Sequence, residues 1–226
     1  MRAKQEQNPV QVRYWRVNGR QGYDLRIVSP KASVADYIAA VEGLDRSLLY
    51  RPYTDGDCLG CDHCCGGRLP LTSIDLLILQ EGLYELTGKK LSLPQLLTKY
   101  CRVRVQGRAV DITLRTDGEG YCIFLEPNLR RCRIYKYRPL ICRTYFCCPL
   151  TRRAGDLRET IVNRGEDELV RYWLSLQNVI PAGVRRHDWG PTPFTGCGDF
   201  AEVSLQSLCP PELWRQLKYC EKKHGG

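Results

Sequence analysis

The sequence predicts an α+β fold: a small irregular domain of short helices and β-hairpins built around cysteines, with an N-terminal hairpin before it and a helical C-terminal extension after it. Three observations predict it. The chain opens on alternating apolar residues interrupted by Asn18-Gly19, a hairpin signal. Capping patterns then recur ahead of apolar runs, as short helices require. Finally, 13 cysteines fall in 226 residues, most of them in two blocks. With 43% hydrophobic and 26% charged residues the chain is globular rather than disordered. The expected domains are 1–54, 55–150 and 151–226.

Residues 10 to 28 read as the opening hairpin. Val10, Val12 and Tyr14 alternate with polar residues on one arm, and Tyr23, Leu25 and Ile27 on the other. Ser33-Val34-Ala35-Asp36 is a capping box for a helix expected to reach about Leu49. Thr72-Ser73-Ile74-Asp75 starts another, stopped by Gly88, and Ser92-Leu93-Pro94-Gln95 starts a third, towards Tyr100. Two strand pairs are expected next. One runs from Arg102 to Leu114 and turns at Gln106-Gly107. The other runs from Tyr121 to Tyr135 and turns near Pro127-Asn128. The last third predicts an amphipathic helix from about Glu166 to Val179, then a Gly/Pro-rich stretch and a helix from Glu212 to Lys222.

The cysteines carry the chemistry. Cys58-x-x-Cys61-x-x-Cys64-Cys65 aims several thiolates at one point, and clustered anions need a cation between them. Cys122, Cys132 and Cys142 follow at ten-residue intervals, with Cys147-Cys148 close behind. The two blocks are expected to share one centre. Three ligands from the first run and one from the second would complete a [4Fe–4S] cubane, the favoured cofactor. Zinc in a four-cysteine site is the alternative, and spacing alone does not choose between them. The surplus of thiols is compatible with a second site, and Cys197, in the loop Thr195-Gly196-Cys197-Gly198, is the candidate contributor from outside the blocks. Cys101, Cys209 and Cys220 read as packing residues, and His63 as solvent-facing rather than as a ligand.

The formal net charge is +9, and no Asp or Glu occurs from Pro127 to Gly155. Arg138 and Arg143 lie in that stretch and would balance the negative charge of a thiolate-bound cluster. The basic surface also suits a protein substrate or redox partner with an acidic face. Nucleic acid would tolerate such a surface too, but no helical or RNP-type recognition signature is present. Met1 to Asn8 lacks the apolar core of a secretion signal and no apolar run would span a bilayer, so a reducing, cytoplasmic setting is expected.

Together these residues resemble the CxxCxxCC (YkgJ-type) cysteine-cluster family, whose members are described as zinc- or iron-chelating. Beyond the cysteine run, the resemblance includes Leu69-Pro70-Leu71-Thr72 with Ile74-Asp75, and Gly120-Tyr121-Cys122-Ile123-Phe124-Leu125. It extends through the block from Arg131-Cys132-Arg133 to Arg138-Pro139-Leu140-Ile141-Cys142-Arg143. It covers roughly residues 55 to 150 and implies a cysteine-ligated metal centre. The family also includes flagellin lysine methylases in which an iron–sulfur cluster is implicated, but this chain has no Rossmann-type glycine fingerprint for a methyl donor. Three function classes stay open: an electron-carrying or redox-sensing iron–sulfur protein, a cluster-dependent enzyme, and a zinc-stapled binding module. No catalytic residue can be named.

Overall fold

The computed structural model, which describes residues 8–53 and 61–218, holds seven α-helices and three antiparallel strand pairs among those residues. The strands are β1 (Val10–Val17), β2 (Arg20–Ile27), β3 (Cys101–Gln106), β4 (Ala109–Leu114), β5 (Leu125–Glu126) and β6 (Arg131–Cys132). The helices are α1 (Val34–Glu42), α2 (Ser73–Thr87), α3 (Leu93–Tyr100), α4 (Leu140–Thr144), α5 (Arg152–Ser175), α6 (Leu205–Leu208) and α7 (Pro211–Leu217). The α+β class is as the sequence predicts. By internal contacts the chain divides into two units.

The first unit takes the described parts of Met1–Tyr50, Cys148–Thr160 and Asp199–Gly226. Asn18 and Gly19, both at positive φ, turn β1 into β2, and Val10 pairs with Ile27 at the far end. Val10, Tyr23, Leu25 and Ile27 form the buried face of this hairpin. The Ser33 capping box opens α1 as expected, but the helix stops at Gly43 rather than continuing to Leu49. Asp45 explains the difference. Its side chain accepts from the Ser47 N–H and draws the chain into a separate 3-10 turn over Arg46–Leu48. Asp24 is buried beneath the start of α5, where Arg153 ion-pairs with it and the Thr151 hydroxyl donates to it. Burial opposes ionisation of Asp24, but these hydrogen bonds outweigh it and hold the carboxyl below its ordinary range.

The second unit takes the described parts of Arg51–Cys147 and Ile161–Gly198. Its core gathers Leu76, Leu79 and Leu83 of α2, Leu96 of α3, Ile112 of β4, Phe124, and Leu169, Val170 and Leu174 of α5. The caps at Thr72 and Ser92 form as read, and Gly88 ends α2 in the left-handed region at φ 68°. Three expectations are corrected. The β3–β4 turn occupies Gly107-Arg108, one residue later than expected. The second strand pair shrinks to β5 and β6, because the Cys122 backbone bonds elsewhere: its carbonyl accepts from Leu125 N–H in a local turn and its N–H donates to Cys65 O. The helix expected at Glu166–Val179 is the later part of α5, which begins at Arg152 and ends at Ser175. Gly165 reads as a weak point in a helix, but a Cβ there would lie 2.6 Å from the Thr72 Cβ. The glycine therefore serves close packing and not a helix stop.

Candidate metal centre

The first cysteine block sits on a tight turn. Cys64 and Cys65 lie in the 3-10 segment His63–Gly66, and the Cys65 N–H donates to Asp62 O at 2.8 Å. Asp62 ion-pairs with Arg130 of the β5–β6 loop, where Arg130 itself adopts φ 50°. The Cys122 N–H donates to Cys65 O at 2.8 Å, which ties the second block to the first through backbone. Cys132 closes β6 opposite Leu125. Cys142 lies on α4, whose N-terminus is anchored because the Leu140 N–H donates to Asp75 Oδ1 at 2.7 Å. Asp75 thus does two jobs: one oxygen completes the Thr72 capping box and the other holds the Cys142 helix. Its burial pushes the carboxyl up to about 6.

Thiols from both blocks lie within electrostatic reach of one another. Cys64 and Cys65 share a thiol–thiol hydrogen bond, which brings Cys64 down to about 7 and drives Cys65 far up. Cys65 is raised further by burial and by Cys122 and Cys142. Burial first, then Cys122, Cys64 and Cys132, push Cys142 well above its ordinary range. Burial also raises Cys122, to about 11, and Cys132. Arg138, stacked on the Tyr135 ring at 3.8 Å and donating to Tyr135 O, pulls Cys64 and Cys132 the other way. Cys147 is raised by burial and lies within reach of Cys61 and Cys64. Gathered thiols that resist joint ionisation suit a thiophilic cation, whose charge would relieve the repulsion. Among the described residues, no three His, Cys, Asp or Glu side chains close around a point that would hold a metal ion.

Cys61, Cys64, Cys65, Cys122, Cys132, Cys142 and Cys147 all fall in the second unit. Cys58 lies outside the described residues, as does Cys220. Cys148 is buried in the first unit within reach of Tyr23. Cys197 donates its thiol to Pro193 O at 3.5 Å within its own turn. Arg143, on α4, acts electrostatically on Asp75. His63 is exposed and stacks on Tyr53, with ring centroids 3.6 Å apart. Cys101 and Cys209 are buried, as packing residues should be. Two supports were not anticipated from sequence, the Asp62–Arg130 pair and the bond from Leu140 to Asp75. An acid inside the Cys run and an arginine in a long acid-free segment were the available signals.

Residues 57–163 match the model of the CxxCxxCC family, whose description reads "Putative zinc- or iron-chelating domain". This stretch is similar to the CxxCxxCC domain. The match supports cysteine-ligated metal binding. An uncharacterized protein of Methanocaldococcus jannaschii is 30% identical over 103 residues, which is 44% of this chain and 50% of that relative. The chain therefore spans about half the length of the curated relative it matches. No solved structure matches. Among the described residues, no helix is long and apolar enough to cross a membrane.

Proposed function

We propose that the CxxCxxCC domain binds an iron–sulfur cluster, [4Fe–4S], through cysteines of both blocks. The supporting observation is the electrostatic proximity of Cys64 and Cys65 to Cys122, Cys132 and Cys142. The first four ligands are drawn from these residues with Cys58 and Cys61. Cys147 and Cys197 of the second unit are the reserve for a second site. When bound, the cluster supplies one-electron chemistry, used for electron transfer or for cluster-dependent modification of a protein. Arg138 and Arg143 offset the charge of the thiolates and keep the centre in a low-charge surrounding. The setting is a reducing cytoplasm, and the partner is a protein with an acidic face.

Anaerobic purification followed by an absorption spectrum and iron, sulfide and zinc analysis tests this reading. A brown protein with about four irons and as many sulfides per chain is the expected result. Clearly more iron points to two clusters. A colourless protein with stoichiometric zinc and no sulfide overturns the iron–sulfur reading. It leaves the zinc-stapled binding module, which the family description equally allows.

A further inference from the structure

Among the described residues, the hairpin of the first unit carries an open edge. The Tyr23 N–H donates to Pro149 O and the Tyr23 carbonyl accepts from Thr151 N–H, both at 3.1 Å, so the Tyr23 backbone points away from β1. Gln21 behaves alike, its carbonyl accepting from Tyr50 N–H at 2.8 Å. The outer edge of β2 is thus occupied. Tyr14 stands opposite Tyr23, with Arg16 opposite Gln21 and Val12 opposite Leu25. Opposed residues of an antiparallel pair share their bonding sense. The backbones of Val12, Tyr14 and Arg16 therefore point out from β1, and no backbone bond from them is made among the described residues.

This edge is accessible and the strand's own charges are all basic, although Asp45, whose backbone N–H donates to the Tyr14 hydroxyl at 2.7 Å, stands beside it. Tyr14 is 37% and Trp15 58% exposed, and Arg13, Arg16 and Arg20 are exposed beside them. No carboxylate occurs between Asn8 and Tyr23. The next one, Asp24, is engaged by Arg153. The geometry points to β1 as a docking edge for an extended acidic peptide segment of a partner protein, which adds to the hairpin as a further strand. Its backbone would pair with Val12, Tyr14 and Arg16, and its carboxylates would meet the arginines. A second copy of this chain is a poorer occupant, since edge-to-edge pairing would bring arginines against arginines. Nucleic acid could use the charge and Trp15, but it would leave the row of amides unused.

The full chain is titrated against a fluorescein-labelled peptide alternating Glu and Val, with binding read by anisotropy and amide protection by hydrogen exchange. Saturable binding with new protection at Val12, Tyr14 and Arg16 is expected, and a Lys–Val peptide should not bind. Arg13→Glu with Arg16→Glu should weaken binding about tenfold or more. Val12→Pro deletes one outward N–H, spares the β1–β2 ladder and should also weaken it. Thermal melts show whether each variant is folded, and the protection pattern of the unaltered protein decides if one is not. Equal binding of both peptides, or binding without protection at these amides, overturns the proposal. So does binding of a single-stranded oligonucleotide in place of the Glu–Val peptide, or concentration-dependent protection with no peptide present.

Discussion

At the scale of single residues, position relative to the thiol group separates cysteines that share one chemistry. Cys142 lies within electrostatic reach of Cys64, Cys122 and Cys132 on a helix that Asp75 anchors. Cys209 is buried in the first unit, where burial alone raises it to about 12. Cys142→Ser should lower metal retention at least about tenfold, since changes one shell further out already cost that much. Cys209→Ser should leave it unchanged. Equal metal content in the two variants, measured by elemental analysis, would sink the shared centre. Glu166 makes a second residue-level prediction. Its carboxylate shares Arg68 with Asp111 and accepts from the Ile112 N–H at 3.0 Å. Burial, then the bond with Asp111, push it from 4.5 up to about 7, against the pull of Arg68. The folded state therefore holds this proton more tightly than the unfolded state does. The stability it contributes is present below about pH 4.5 and is lost as pH rises through about 7. Glu166→Gln should flatten that decline by on the order of 1 to 3 kcal/mol across the window, read from urea midpoints against pH. An unchanged slope would rule the effect out.

At the scale of elements, close approach decides what local propensity cannot. Alanine is normally better than glycine inside a helix by about 1 kcal/mol. Gly82 lies inside α2, yet a Cβ there would stand 2.6 Å from the Tyr137 Cβ and 2.8 Å from its Cγ. Those atoms sit at the root of the side chain and cannot swing clear, so overpacking should win. Gly82→Ala is expected to destabilise by about 1 to 2 kcal/mol net, with looser packing of the 3-10 turn Tyr135–Tyr137 just ahead of α4. A denaturant midpoint at or above that of the parent protein would contradict it. The capping boxes carry the opposite lesson. Thr72 is almost wholly buried and both its backbone and hydroxyl donate to Asp75. Thr72→Ala should cost about 1 to 2 kcal/mol and should release the Asp75 that anchors α4. Metal affinity should fall with stability in that variant, and a loss of stability alone would separate the cap from the site.

At the scale of the whole molecule, the two units should answer differently to loss of the metal. The second unit contains thiols from both cysteine blocks, separated by long stretches of chain. A metal bridging them closes those loops, and its binding free energy becomes folding free energy. Stripping the metal should speed amide exchange in β5, β6 and α4, while the β1–β2 hairpin of the first unit keeps its protection. Uniform exchange in loaded and stripped protein would show that the metal is not part of the fold.

Local chemistry determined much of this protein by sequence alone. The Asn18-Gly19 turn, the boxes at Ser33, Thr72 and Ser92 and the Gly88 stop all form as read, because each is completed within a few residues. The cysteine run with its companion block also pointed to the family model that matches residues 57–163, because the spacing of the first thiols is itself local. Features completed by distant groups were hidden. The reason for a glycine inside α5 needed Thr72 beside Gly165, and the hold on Cys142 needed Asp75 beneath Leu140. Tertiary structure alone brought the two cysteine blocks within reach of each other, joined residues 8–50 with 199–218 in one unit, and left the edge of β1 without a backbone partner among the described residues. A sequence states which groups can bond. Which of them meet depends on packing between segments far apart in the chain, where the entropy of ordering is offset by burial that no single segment contains.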